Sequence, residues 1–132
     1  MKKFITQIAT IEIPISNLES SIEFYVDILG VKVIYQGEQD AMLSFQSIGV
    51  PTIYLVETEE TYTLSFENTN NGIIHSIIDF YTPSLKEFYD FLKMKNVEVG
   101  PLNINENGLG GFGFKDIDGN RLSACNIKHD IH

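Results

Sequence analysis

The sequence predicts an α+β fold made of two tandem βαβββ modules, and three observations carry that prediction. First, one pattern occurs twice: residues 16–33, SNLESSIEFYVDILGVKV, and 82–99, TPSLKEFYDFLKMKNVEV, share a polar cap, a leucine, an aromatic-rich stretch and a V-x-V strand start. Leu18 matches Leu85 and Phe24 matches Phe91, whereas Val31 and Val33 match Val97 and Val99 with one residue fewer between. Second, each copy is preceded and followed by short β-branched runs separated by turn residues. Third, two copies are too few for a solenoid, which needs at least three units to cover its core, so the halves bury apolar faces jointly. The junction of the halves is where a site is expected.

Taken in order, Ile5, Ile8, Ile11, Ile13 and Ile15 mark a first strand over residues 5–15, with Pro14 near its end, where a missing N–H is tolerated at an edge. Ser16 or Asn17 caps the first helix, and Ser16 with Glu19 fits a capping box. Leu18, Ile22, Tyr25 and Leu29 form one apolar stripe, and Gly30 ends the helix. The runs VKVIYQ, AMLSFQSI and PTIYLVET are the next three strands, with Gly37–Asp40 and Gly49–Pro51 as turns.

Residues 59–72 are polar and turn-rich and read as a linker, in which TYTLSF alternates as a short extra strand does. The second module, residues 73–127, opens with the strand IIHSIIDFY. A second capping box, Ser84 and Glu87, starts a helix with Leu85, Phe88, Tyr89 and Leu92 on one face. VEVGPLNI, GGFGFKD and RLSACNI are its remaining strands, and Ile117–Asn120 makes a hairpin turn. Gly108, Gly110, Gly111 and Gly113 match no phosphate-binding motif and suit a bulge or a close backbone approach. KHDIH, residues 128–132, is a frayed, solvated tail that carries His129 and His132.

Composition bounds the function. With 132 residues the chain fits a single domain, first module 5–58 and second 73–127, that buries roughly two-thirds of its unfolded surface. Its net charge of −9 and scattered basic residues argue against nucleic acid and against an anionic membrane surface. No segment reaches the roughly 20 apolar residues of a membrane helix, and MKKFITQIATIEI lacks the features of a signal peptide. The single cysteine, Cys125, cannot form an internal disulfide, so a cytoplasmic location is expected.

Two segments carry a family resemblance. IPISNLESSIEFYVDILG resembles the opening signature of the vicinal oxygen chelate superfamily, which comprises glyoxalase I, the bleomycin and fosfomycin resistance proteins and the extradiol dioxygenases. GFGFKDIDGNRL resembles its closing signature, which usually reads F-x-D-P-D-G-N, and the likeness spans residues 5–127. The resemblance implies a curved eight-stranded mixed sheet around a cavity, and in its enzymes a divalent ion held by His and Glu on four strands. Carried over through Leu18, Leu85 and Gly119, those four positions fall on Thr10, Tyr54, Ile77 and Ser123. None is a usual donor at a divalent site.

The expectation is therefore a protein without the usual metal ligands that binds a small organic molecule, cationic or aromatic, in an aromatic-lined cavity. No cofactor is expected, and a homodimer is. Tyr54, Phe112, Phe114, Phe45, Tyr35 and Phe80 are the aromatics on strands that border the concavity, with Tyr54 and Phe114 the preferred contacts. Against this stands a metal-dependent lyase, isomerase or dioxygenase with displaced ligands, Glu12, Glu57 and His75. Glu12 and His75 lie two residues from Thr10 and Ile77 and share their faces if the strands are regular. A third reading is a non-catalytic dimeric interaction module. Cys125 shares a face with Ser123, as a pocket residue or as an inert buried thiol.

Overall fold

The computed structural model describes residues 2–59 and 62–129. It divides the chain into two compact units between Tyr62 and Thr63. The linker expected at 59–72 is thus shared, and most of it belongs to the second unit. The set of elements doubles as the sequence predicts, in an α+β arrangement of two helices and mixed sheets.

In the first unit, β1 (Thr10–Ile15) leads into α1 (Leu18–Leu29), followed by β2 (Lys32–Gln36), β3 (Asp40–Ser44) and β4 (Thr52–Glu57). The sheet order is β1-β4-β3-β2, so the last strand returns beside the first, parallel to it and in register from Thr10↔Thr52 to Ile15↔Glu57. The first strand is shorter than expected. Its ladder has no partner before Thr52, and Ile5 and Ile8 are exposed rather than in a strand. Pro14 sits on β1, an outer strand of this sheet, where its missing donor disturbs least.

Alternation along these strands selects the core. Ile13, Ile15, Ala41, Leu43, Ile53 and Leu55 are buried, together with Leu18, Tyr25 and Ile28 of α1. The buried row of α1 is Leu18, Ser21, Tyr25 and Ile28, while Ile22 and Leu29 flank it half-buried. This row and the expected one both obey the 3.6-residue period, and contact with the sheet selects the one slightly rotated. Of the two expected caps it is Asn17 that takes the position, its Oδ1 accepting the Ser20 amide at 2.9 Å.

In the second unit a short hairpin, β5 (Phe66–Glu67) and β6 (Ile74–His75), precedes the repeated module. There follow β7 (Ile78–Tyr81), α2 (Leu85–Met94), β8 (Asn103–Ile104), β9 (Gly110–Lys115) and β10 (Arg121–Cys125), in sheet order β7-β10-β9-β8. This is the same first-fourth-third-second order as in the first unit, so the repeat extends from sequence to strand pairing. IIHSIIDFY is not one strand: the chain leaves the hairpin at His75 and enters β7 at Ile78. VEVGPLNI is likewise broken, with Val99 making a single bridge to Phe114 and Gly100-Pro101 interrupting the run before β8.

The core of this unit is aromatic. Phe112 and Phe114 are buried beneath α2, with ring centroids 5.9 and 5.8 Å from Phe88, and Tyr89 lies 5.0 Å from Phe112. Leu85, Leu92, Ile78, Leu122 and Ala124 complete it. Between the phenylalanines the opposite face carries glycine. A Cβ on Gly110 would come 1.8 Å from the Asn103 carbonyl oxygen, which confirms a close backbone approach there. The one-residue difference between the repeats falls at the helix ends. Gly30 takes the left-handed conformation before Val31 (φ 72°), and Asn96 takes it before Val97 (φ 60°). Asparagine is among the few other residues that adopt it readily. No side-chain capping bond forms at Ser84, so the second capping box is absent.

The expected hairpin turn is held by two buried polar residues. Asp116 Oδ1 accepts the amides of Asp118 and Asn120, both at 2.9 Å, and Asn120 Nδ2 donates to Asp116 Oδ2 at 2.8 Å. Asn120 Oδ1 accepts the Leu64 amide at 2.8 Å, and the Arg121 amide donates to the Leu64 carbonyl at 3.1 Å. The turn thereby fixes the chain that enters the unit. Among the described residues no helix is long and apolar enough to cross a membrane. Replacing Asn120 by Ala leaves buried polar groups without this partner, and chemical denaturation is expected to show a loss of roughly 2–3 kcal/mol.

Candidate functional site

In each unit the strand face turned away from the helix carries the polar and exposed side chains. On the first sheet, cross-strand register aligns Glu12, Tyr54, Met42 and Tyr35 in one row over all four strands. A bulge between Val33 and Tyr35 brings Tyr35 opposite Met42. Tyr35 and Glu12 are exposed, and Tyr54 and Met42 are half-buried. The Tyr54 hydroxyl donates to Asp40 Oδ2. That carboxylate accepts the phenolic proton, and with desolvation and its own charge it holds the Tyr54 pKa above the usual range. Tyr54 is therefore a neutral donor engaged with an anion. Thr10 lies on this face as well, where its hydroxyl donates to the Thr52 carbonyl at 3.2 Å.

Glu57 has a different task. Its Oε2 accepts the Leu18 amide at 2.8 Å, which places a carboxylate on the N-terminal end of α1. A negative charge there meets unpaired amides and the positive end of the helix dipole. The residue named as a displaced metal ligand thus has a structural partner.

On the second sheet the open face carries Asp79 and Tyr81 from β7, with Ser123 and Cys125 from β10. Ser123 pairs with Asp79 in the parallel ladder, and its hydroxyl donates to Asp79 Oδ1 at 2.9 Å and lies 3.1 Å from the Ile78 carbonyl. Ile77 precedes the strand and is exposed. Cys125 shares the face of Ser123, as expected. It is buried, its Sγ lies 3.5 Å from the Ile127 carbonyl oxygen and 4.0 Å from His129 Nε2. Burial raises its thiol pKa, with Asp79 adding to the effect against the Ile127 contact.

Two proposed site residues lie elsewhere. His75 does not share a strand with Ile77: it sits in the β5–β6 hairpin opposite Phe66, with the two rings stacked at 4.9 Å. The backbone break at Ser76–Ile77 removes the alternation that was to align them. Phe114 lies on the helix-facing side of β9, opposite to the side of Ser123, because its strand alternates phenylalanine inward with glycine outward. Phe112 goes with it into the core. Asp40, Asp79 and His129 were not identified from the sequence. Strand alternation carried forward from Ile77 reaches Asp79, whereas the path of the chain after Cys125 has no periodic signal. His132 lies outside the described residues.

Fold and faces together define a class: a tandem βαβββ protein whose helices cover one side of each sheet and whose ligand-competent side chains stand on the other. The family model for the glyoxalase/bleomycin resistance protein/dioxygenase superfamily matches residues 7–123, and the chain belongs to that superfamily. Solved structures agree on the fold. A putative glyoxalase family protein from Bacillus anthracis is 18% identical with a TM-score of 0.71, over 97% of this chain and 100% of that one. The genomically encoded fosfomycin resistance protein FosX from Listeria monocytogenes is 16% identical with a TM-score of 0.70, over 98% and 97%. Lactoylglutathione lyase from Agrobacterium tumefaciens is 18% identical with a TM-score of 0.67, over 93% and 95%. A mutant of the Listeria protein is described as complexed with Mn(II). Comparison with curated proteins gives no match.

Two measurements test these assignments. Glu57→Ala is expected to lower stability by about 1 kcal/mol through loss of the helix-terminal acceptor, as read by urea denaturation. For Cys125, a raised pKa means that the thiol stays protonated at neutral pH. Its alkylation by iodoacetamide should be slow at pH 7 and accelerate only above the ordinary thiol range, where an unfolded control is already fast.

Proposed function

We propose that this chain binds a small organic molecule with an aromatic or cationic part on the open face of its first sheet, without the metal centre of the family's enzymes. The row Glu12–Tyr54–Met42–Tyr35 carries this reading. It offers two phenol rings and a polarizable thioether, flanked by the carboxylates of Glu12 and Asp40. Aromatic faces attract cations, and nearby carboxylates reinforce that attraction. The acidic chain, at net charge −9, adds long-range steering of cations.

The four positions at which the resemblance places metal ligands do not fit a divalent ion. Thr10 and Ser123 offer hydroxyls already bonded to neighbouring groups, Tyr54 offers a protonated phenol, and Ile77 offers no donor. A catalytic divalent centre uses three or more convergent imidazole, thiolate or carboxylate donors. Glu57 as a helix-end acceptor and His75 against Phe66 further weaken the displaced-ligand alternative. Glu12 stays within the binding row, where its charge serves a cationic ligand.

Thermal unfolding in the presence of cationic glycopeptides and planar aromatic cations tests this. A compound present at a hundred times its Kd stabilises the native state by about 2.7 kcal/mol, which raises Tm by several degrees. The rise is expected to vanish in Tyr54→Ala and to shrink with added salt. If no compound of either class raises Tm, the reading is wrong.

A further inference from the structure

We propose that Asp79, Cys125 and His129 form a binding site for a zinc-class divalent ion at the open face of the second sheet. Among the described residues this is a group of three potential donors, one carboxylate oxygen, one thiol sulfur and one imidazole nitrogen, all within 4.8 Å of one another. None of the three occupies a position at which the family resemblance places a ligand. Its residues belong to the second sheet, and the row that carries the proposed small-molecule binding belongs to the first.

The local structure explains how the three meet. β7 and β10 run parallel, with Ser123↔Asp79 and Cys125↔Tyr81 in register, so Cys125 stands one step diagonally along the same face from Asp79. His129 follows Cys125 by one short turn of chain. The start of that turn is pinned by Asn126, whose Nδ2 donates to the Gly108 carbonyl at 2.8 Å and whose Oδ1 accepts the Gly110 amide at 2.9 Å. The tail is thereby directed back over the sheet end, and His129 Nε2 reaches 4.0 Å from Cys125 Sγ. Asp79 is oriented in turn by the Ser123 hydroxyl at 2.9 Å, the kind of outer partner that fixes a ligating carboxylate.

The spacing suits the ion. Tetrahedral zinc with ordinary Zn–S and Zn–N bonds holds its donors about 3.5 Å apart. The sulfur–nitrogen separation of 4.0 Å needs a contraction of about half an ångström, and the widest donor separation, within 4.8 Å, needs up to about 1.3 Å, which side-chain rotation supplies. Thiolate, imidazole and carboxylate together favour zinc over the hard cations, which prefer oxygen alone. The three donors border a cleft of about 330 Å³ that Tyr81, Ile127 and Lys128 also line, which leaves room for a water or a small ligand at a fourth position. Lys128, the cation of that cleft, has its Nζ 5.8 Å from the Tyr81 ring centroid, where the ring face holds it. Binding deprotonates the Cys125 thiol and releases that proton to solvent, with no change of oxidation state.

Cobalt(II) is the probe, added to the untagged, metal-free full chain. The expected result is a near-ultraviolet thiolate-to-cobalt charge-transfer band that saturates at one ion per chain and is displaced by zinc. Cys125→Ser should abolish the band, and His129→Ala and Asp79→Asn should each weaken cobalt binding by at least about tenfold. Ser123→Ala, which removes the orienting hydroxyl, should weaken it by roughly tenfold as well. His129 lies in an exposed segment, so its replacement leaves the fold intact and isolates the ligand effect. Tyr54→Ala should leave the titration unchanged, which separates this site from the binding row of the first sheet. A folded chain that shows no band with cobalt in excess would overturn the proposal. So would a band whose affinity in both His129→Ala and Asp79→Asn equals that of the unsubstituted chain.

Discussion

The parallel ladder between the first and last strands of each module determines which side chains meet the helix and which stand away from it. Side chains alternate along a strand, so a slip of one residue in β1 against β4, or in β7 against β10, would exchange the two faces entirely. Burial of Ile13, Ile15, Ile53 and Leu55 on one side forbids that slip in the first unit, as Ile78, Leu122 and Ala124 do in the second. The helices then cover the apolar side, and Thr10, Glu12, Tyr54, Asp79 and Ser123 are left on the other. In this sense the open faces are a by-product of core formation. Core packing leaves their chemistry free.

That freedom shows in how the polar groups are spent. Thr10, Tyr54, Ser123 and Glu57 each have a hydrogen-bond partner within their own unit. Groups satisfied in this way stabilise the fold locally, and a ligand that recruits them must first replace those partners. Cys125 differs, because a buried thiol is a weak donor and a weak acceptor and loses little when it changes partner. Burial restrains its ionisation and holds it as the thiol.

Much of the fold was legible because it rests on short-range rules. The two helices, their leucine starts at Leu18 and Leu85, and the glycine stop at Gly30 follow from capping and periodicity, and the doubled pattern foretold the doubled strand order. The errors have a common origin. Residues 5–9 and the segment around His75 have strand-like composition but no partner strand that continues their ladder, and pairing is a property of two segments rather than one. Phe114 was misplaced for a related reason: aromatic and glycine alternate on β9, and the face of each was decided by α2 packing above it. Of the candidate residues, Thr10, Glu12, Tyr54, Ser123 and Cys125 stand on the strand faces turned away from the helices. Asp79 and Asp40 were one application of strand alternation or cross-strand pairing away. His129 was out of reach, since a coil that returns to a strand end leaves no trace in hydrophobic spacing.

The capture of Leu64 by the Asn120 turn makes the two copies unequal. The second carries, ahead of its first strand, a hairpin and an incoming chain that its own closing turn holds in place, whereas the described residues ahead of β1 form no strand. A duplicated gene segment would begin life symmetric. Here the segment between the copies is held by the second alone, so the boundary read from the sequence repeat and the boundary between the mechanical units do not coincide. Residues within 63–72 therefore answer to the packing demands of the second copy and are not a slack tether.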